Sequence, residues 1–567
     1  MSARRFFRVR ELGGRWWLVD PAGRPFFAVG TNRVTFHATR DKDGRAWYQE
    51  AILARYGSEA GWARATVRRL KAWGFNCSSL DTRRILGRVG LPYYAWCPAS
   101  HPFARKRKLL TAPGVPGYMT MVDIFDPAFA TCYEETCRRI ARPKRRDPAL
   151  IGWYTDNELF WGTAFGPGRS LLDATLWQDP ATFNKRELVR WLRDRYRGDL
   201  RALNRAWNLR VGSWAGLLRV REIRSDPFAH PGLLADKRAW LFHYARRYCR
   251  TVNRILKRHD PNHLNLGNRF HGWVEPELAR AMGESVDVIS YNKYDGQAPR
   301  FQMEEILWRE GRRPVLVSEW GFRAMDAGLP NTGGVGRIVK TQSERGERYA
   351  GFLEGLARSP VCVGSVFYAW VDDPPTGGGG MMANENSNYG LVTVRDEPYR
   401  RFVGKVAAAN RRAARWHAGE APRSRTVMIA TPKDYHREPE AEFTVLTDGR
   451  VVNNEFLRAF LRGPDAGAEA QRPVFRLAFD RPVSFEILVY ETNGKPNLEM
   501  LLDGRTARRV RFASGPRRGR FALRMHDGWH SYWHQRVGVR VPAGPHVLAV
   551  RNSGTGWIWL DGYRLGF

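Results

Sequence analysis

The sequence is short of cysteine and of long apolar runs, and each shortage closes off a class of protein. Six cysteines occur in 567 residues (Cys77, Cys97, Cys132, Cys137, Cys249 and Cys362), with no C-x-x-C pair and none after Cys362. A disulfide scaffold is therefore not expected, and no zinc-finger spacing is present. No stretch reaches eighteen consecutive apolar residues, so no transmembrane helix and no membrane partner are expected. At the N-terminus, MSARRFFRVRELGGRWWLVD, charges interrupt every apolar pair and leave no signal-peptide core. The expectation is a soluble protein, secreted if a leader has been trimmed and cytoplasmic otherwise. H-E-x-x-H, P-loop, G-x-G-x-x-G and G-x-S-x-G motifs are all missing, so a zincin, an NTPase, a dinucleotide enzyme and an α/β-hydrolase lack support. No cofactor and no metal are implied.

What is present is a large core. Hydrophobic residues make up 43% and aromatics 13%, with 22 Trp, which excludes a chain disordered for lack of apolar content. Lys and Arg number 92 against 57 Asp and Glu, a formal charge of +35, and 79 of the 92 are arginine. Such a balance first suggests a polyanionic partner. Yet residues 421–567 carry a surplus of 8 and the first 420 the remaining 27, a nearly equal density with no basic tail. The runs from Arg105 to Lys108, Lys144 to Arg146 and Arg517 to Arg520 are short and separate. Without a zinc finger or an RNP pattern, nucleic acid is not an expected partner.

Eight runs rich in β-branched and aromatic residues alternate with stretches of helical periodicity, at 26–30, 75–79, 92–96, 150–154, 264–267, 286–290, 314–317 and 363–368. Between them, 59–73 and 239–257 carry apolar stripes at helical spacing. Eight such units predict a (β/α)8 barrel, with the gap at 160–235 an elaborated loop. After Trp416 the texture changes to alternating strands and Gly, Asn and Pro turns, with strands expected at 475–479, 483–489, 545–550 and 557–561. The expected architecture is an α/β barrel domain over 1–420, with a short N-terminal β segment, and a C-terminal antiparallel β-sandwich of jelly-roll type over 421–567.

In a parallel barrel the chemistry lies at the C-terminal ends of the strands. The fourth run leads straight into Asp156-Asn157-Glu158 and the seventh into Ser318-Glu319. A carboxylate is costly to desolvate, so one at each of two buried strand ends points to paired-carboxylate catalysis. Glycoside hydrolysis uses such a pair, one acid to protonate the leaving oxygen and one carboxylate across the anomeric carbon. The alternative reading is that Glu158 and Glu319 cap helices or pair with some of the many arginines.

The Asn-Glu after the fourth strand and the Glu after the seventh resemble the acid/base and nucleophile of the retaining barrel glycosidases of glycoside hydrolase clan A. More of the chain is similar to one branch of it, the β-agarases of family 50. The similar stretches are Gly14 to Gly30, Asp156-Asn157-Glu158-Leu159-Phe160-Trp161-Gly162, and Ser318-Glu319 through Gln342-Ser343-Glu344-Arg345 to Asp372-Asp373-Pro374-Pro375-Thr376-Gly377. The resemblance implies Glu158 as acid/base, Glu319 as nucleophile, Asn157 on the sugar 2-hydroxyl, Tyr294 orienting the nucleophile and Trp370 as a stacking platform. Asn32, Asn268, His271 and Trp320 are further candidate substrate contacts. Arg33, His37 and Arg269 are possible donors to a hydroxyl, sulfate or carboxylate. Clan members carry an arginine at the end of strand two, where this chain reads Ser78-Ser79-Leu80-Asp81. It also has Trp320-Gly321 after the nucleophile position and a glycine-rich insertion from Gly377 to Met382. The C-terminal domain, with Trp529, Tyr532, Trp533 and Trp557, resembles the carbohydrate-binding modules appended to glycanases; otherwise it packs those aromatics on the barrel.

These readings predict a retaining hydrolase of a polysaccharide or its oligosaccharides, with a β-galactan of agarose type as the leading substrate. The alternatives are another β-linked or anionic glycan, or a non-catalytic carbohydrate-binding protein on the same scaffold.

Overall fold

A computed structural model describes residues 6–37, 40–80, 85–107, 110, 112, 115, 119–378, 385–420, 426–430, 442–447, 460–469, 472–525 and 527–567. Asp81 and most of the glycine-rich insertion, residues 379–382, lie outside them. All eight expected strands form: β1 (Ala28–Thr31), β2 (Cys77–Ser79), β3 (Tyr93–Trp96), β4 (Leu150–Asn157), β5 (Leu264–His271), β6 (Ile289–Asn292), β7 (Val315–Trp320) and β8 (Cys362–Phe367). They pair in parallel in chain order and close into a barrel. Burial on both faces explains why Tyr93–Trp96, Cys362–Phe367 and the 315–317 stretch of β7 read as largely apolar runs. Leu266, Leu316, Val363 and Val366 fill the interior, while Trp153, Val315, Val317 and Phe367 pack outward on the helices.

A small antiparallel sheet (Arg8–Leu12, Arg15–Val19, Pro25–Phe26) precedes the barrel. Phe7 and Leu18 belong to the same apolar cluster as the barrel interior, so this sheet plugs the N-terminal end and leaves the C-terminal mouth for chemistry. The stretch between β4 and β5 differs from the expected loop. It is helical, with Leu171–Trp177, Phe183–Arg195, Leu200–Trp207 and Trp214–Leu217 leading into the 29-residue helix Pro231–His259. Their apolar faces, including Leu188, Leu192, Leu203 and Trp207, join the main core. Leu171–Trp177, Leu200–Trp207 and Trp214–Leu217 are too short to show a helical period in the sequence.

The last barrel helix is Arg400–His417, and the C-terminal domain follows as two facing sheets. One contains Val483–Lys495, Gly528–Val541 and Thr555–Gly566; the other contains Val474–Phe479, Gly544–Asn552 and Asn497–Leu502. Pairing is antiparallel except between Glu442–Val445 and Val474–Phe479, which run parallel. Phe475, Phe485, Ile487, Leu548 and Tyr563 fill the space between the sheets. This is a β-sandwich. All six cysteines are free and buried, and among the described residues no helix is long and apolar enough to cross a membrane.

Candidate active site

Strand pairing slips where the carboxylates are presented, between Tyr154 and Asp156 on β4 and between Val317 and Glu319 on β7. Such bulges re-aim the following side chains. On β5, Gly267 sits at φ 69°, and a Cβ there would lie 2.8 Å from Met282 Sδ, so only glycine passes this point. Past these irregularities, Arg269, Asn292 and Glu319 converge at the mouth. Glu158 follows with φ 48°, its amide donating to the Arg269 carbonyl at 2.9 Å.

Glu319 is the hub. Tyr294 Oη donates to its Oε1 at 2.5 Å, and Arg269 donates to its Oε2. Arg269 is itself buried at 2% exposure and also donates to the Ser318 carbonyl at 2.8 Å. Asn292 Nδ2 donates to Glu158 Oε1 at 2.9 Å, to Asn157 Oδ1 at 3.1 Å and, more loosely, to Glu319 Oε2 at 3.5 Å. The oxygens of Glu158 and Glu319 that share this one nitrogen are therefore no more than 2.9 plus 3.5, or 6.4 Å, apart. Ser318 Oγ fixes the amide by donating to Asn292 Oδ1 at 2.8 Å.

Burial pushes the Glu319 carboxyl above its ordinary value; the Arg269 guanidinium pulls it down, the Glu158 charge pushes it up and the Tyr294 hydroxyl pulls it down. The Tyr294 hydroxyl is raised well above the ordinary range by burial and by the Glu319 charge, so it stays protonated and donates. A third carboxylate, Glu385, feels both glutamates. Burial and then Asp373 push it up to about 7, against the pull of Arg33. Arg33 in turn donates to Asp373 Oδ1 at 2.7 Å and to Tyr368 Oη at 3.1 Å.

The structure brings Glu158, Glu319, Asn157, Tyr294 and His271 together. Asn157 and His271 are half-buried, and the His271 charge acts on Glu319. Asn32 comes to the same place but lies fully buried beneath it, its Nδ2 donating to the Ser318 carbonyl at 3.0 Å. Three expected contacts are corrected. Trp320 follows inward-facing Glu319 and so points outward; it is fully buried, stacked on Phe352 at 4.4 Å, with Nε1 donating to Ser365 Oγ at 2.7 Å. Trp370 is also fully buried, its Nε1 donating to Tyr48 Oη at 2.7 Å beside Trp73, and offers no face to a sugar. Asn268 precedes inward-facing Arg269, points to the helix layer and is fully buried.

The sequence offers Arg269 as a donor to a substrate hydroxyl, sulfate or carboxylate, whereas the structure pairs it with Glu319; Asn292, Tyr368 and Glu385 are not among the residues the sequence singles out for the site. Asn292 was within reach, since it lies two residues before Tyr294 and side chains alternate along a strand. The guanidinium beside Glu319 comes from strand five, not strand two. Among the described residues no cluster of His, Cys, Asp and Glu is arranged to hold a metal.

A closed parallel barrel with a carboxylate after β4 and another on β7, held within one amide's reach, has the arrangement of the clan A glycosidases. The comparisons agree. A glycoside hydrolase 42 family model described as beta-galactosidase matches residues 94–316. Beta-agarase A of Vibrio sp. (strain JT0107) is 28% identical over 459 residues, 70% of this chain and 44% of that protein. Beta-agarase B of the same strain is 26% identical over 466 residues, covering 70% and 47%. The chain thus spans less than half the length of the curated relatives it matches. Among solved structures, the agarase AgWH50C superposes with a TM-score of 0.63 at 23% identity, covering 74% of this chain and 66% of that one. An exo-beta-agarase gives 0.63 at 24%, covering 74% and 67%. The chain is similar to clan A glycosidases and, within them, to the family 50 β-agarases.

Proposed function

We propose that this chain is a retaining β-glycoside hydrolase acting on a polysaccharide or its oligosaccharides, with an agarose-type β-galactan as substrate. The observation that carries the reading is the pair Glu158 and Glu319, with facing oxygens within 6.4 Å. The retaining assignment is supported by the likeness to the clan A glycosidases, whose acid/base follows strand four and whose nucleophile follows strand seven. The β-agarase relatives support the choice of sugar.

In this reading Glu319 attacks the anomeric carbon while Glu158 gives its proton to the departing oxygen, leaving a covalent glycosyl-enzyme. Glu158, now a carboxylate, takes a proton from water as that water displaces Glu319. Arg269 and Tyr294 keep the attacking carboxylate ionised and aimed. Asn292, shared between both glutamates and Asn157, fixes their spacing. The catalytic unit is proposed to span residues 1–420 and the sandwich 421–567.

The test is turnover by purified protein on neutral and anionic polysaccharides and aryl β-glycosides, with Glu319→Ala as the blank. Cleavage of agarose or a β-galactoside, lost in the blank, is the expected result. Cleavage confined to an anionic glycan overturns the galactan assignment. Silence on every substrate, or full turnover by Glu319→Ala, overturns the hydrolase reading.

A further inference from the structure

A cleft of about 520 Å³ lies between the barrel mouth and the sandwich, within the range of roughly 300 to 1,000 Å³ of small-molecule sites. His271 and Tyr294 form its barrel wall, and Tyr294 is the residue that donates to Glu319. Phe460, Trp557 and Trp559 form the opposite wall from the sandwich. Neither glutamate lines this cleft, and Tyr294 is the side chain that joins it to the catalytic pair.

The sandwich is fixed in this position. The Arg337 guanidinium lies over the Trp559 ring at 4.1 Å and the Tyr490 ring at 4.4 Å, and its Nε donates to Asp561 Oδ1 at 2.6 Å. The amide of Ile338 donates to Tyr490 Oη at 2.9 Å, and Ile338, Tyr490 and Tyr532 make a buried apolar cluster across the junction. At Gly296 a Cβ would lie 2.2 Å from Asp561 Oδ2, so the barrel backbone runs directly against the sandwich. Docking consumes Tyr490 and Tyr532, which are 2% exposed, whereas Trp557 stays half-buried at the cleft wall, braced edge-on by Phe460 at 5.3 Å and His530 at 5.1 Å.

We infer that the sandwich is part of the substrate cleft: Trp557 and Phe460 form a distal subsite for a neutral saccharide unit of the same chain whose scissile bond lies at Glu319. An indole face takes the C–H face of a pyranose. The carboxylates of Glu491 and Asp527, both accepting from His530 at 2.5 and 2.7 Å, line the same cleft and suit hydroxyls. Arg462 lines it too, while Arg337 is paired with Asp561, Lys293 lies 3.4 Å from Asp295 and Arg323 donates to backbone carbonyls. This inference rests on the hydrolase reading above. It differs from an appended binding module, because the aromatic platform faces the catalytic mouth and is held there.

The experiment compares Trp557→Ala and Trp557→Tyr in the full chain, on an agarose hexasaccharide and on an aryl β-galactoside. The ratio of kcat/KM for the hexasaccharide to that for the aryl glycoside is expected to fall about tenfold or more in Trp557→Ala, the weight of one stacking contact. Trp557→Tyr, which keeps a ring, is expected to restore most of it. An unchanged ratio in Trp557→Ala overturns the subsite, as does an equal loss in the alanine and tyrosine variants. If wild type cleaves neither substrate, the hydrolase reading fails by itself, and calorimetric titration of the hexasaccharide then decides the subsite. Binding by wild type that weakens about tenfold in Trp557→Ala supports it; no binding by wild type overturns it.

Discussion

Replacing Arg269 should move the acid limb of the pH–rate profile. In the proposed mechanism Glu319 attacks only as a carboxylate, and burial already raises its protonation above the ordinary range, with the Arg269 guanidinium the largest opposing influence. Two unit charges about 4 Å apart interact by about 4 kcal/mol at an effective dielectric of about 20, equivalent to about 3 pH units. The cleft is open to water, and Tyr294 and Asn292 keep their bonds to the carboxylate, so a shift of roughly 1 to 3 units is expected. Glu319 would then ionise only at higher pH, and kcat/KM would rise later as pH increases. Arg269→Met is the perturbation and Arg269→Lys its conservative partner, expected to shift less. The assay is kcat/KM against pH on an activated aryl β-glycoside, whose departure needs little help from Glu158. Breaking a buried ion pair costs about 3 to 5 kcal/mol of stability, so Tm of each variant is measured alongside. A lower plateau with the acid limb unmoved would refute the electrostatic role and leave Arg269 as a scaffold residue only.

Three other outcomes follow from particular contacts. Asn292→Ala removes the amide shared by both glutamates and should lower kcat by roughly 100-fold or more, as loss of a preorganised donor does; a normal kcat would show that the spacing is held without it. Trp320→Ala empties a fully buried site and should cost about 3 to 5 kcal/mol in denaturant unfolding. A rise in KM at unchanged stability would return Trp320 to the sugar contacts. Burial, then the charges of Arg348, Arg520 and Arg337, hold His534 down at about 3 from an ordinary 6.5. A depressed histidine contributes stability in full above about 6.5 and loses it as pH falls towards about 3, about 2 kcal/mol by pH 5. His534→Gln should flatten the fall in Tm between about pH 7 and 5, and an equally steep fall would exclude His534 as its source.

The barrel was legible because its strands are buried on both faces, which leaves eight apolar runs that no other element imitates. Glu158 and Glu319 were legible for the same reason, as carboxylates abutting such runs. Which way the neighbours face was not. Trp320, Trp370 and Asn268 stand at or beside strand ends, yet alternation turns Trp320 and Asn268 away from Glu319 and Arg269, and Trp370 packs against Tyr48 and Trp73; a side chain's facing has no composition signature. The arginine beside Glu319 was sought on strand two and comes from strand five. Around a closed barrel two strands distant in sequence reach the same axis, so the position of a guanidinium is fixed by geometry that spacing does not encode. The sandwich aromatics rest on a resemblance to appended carbohydrate-binding domains, and neither that likeness nor their composition tells a free-standing face from one turned towards the barrel.

The net charge of +35 bears on the substrate only if unengaged cations converge on the cleft, and five of the described cations at the mouth and cleft are engaged by partners within the protein. Arg269 serves Glu319, Arg33 serves Asp373, and Arg337 serves Asp561. Arg323 donates to the carbonyls of Asn331, Gly333 and Gly336, and Lys293 lies 3.4 Å from Asp295. Buried guanidiniums paired in this way hold loops and carboxylates in place; a sulfate or uronate entering the mouth would have to displace a carboxylate to reach one. Glu158, Glu319, Glu385, Glu491 and Asp527 add negative charge around the same space, and burial drives Glu385 towards its neutral form. Under the proposed hydrolase reading, these pairings favour an uncharged chain recognised through hydroxyls and ring faces.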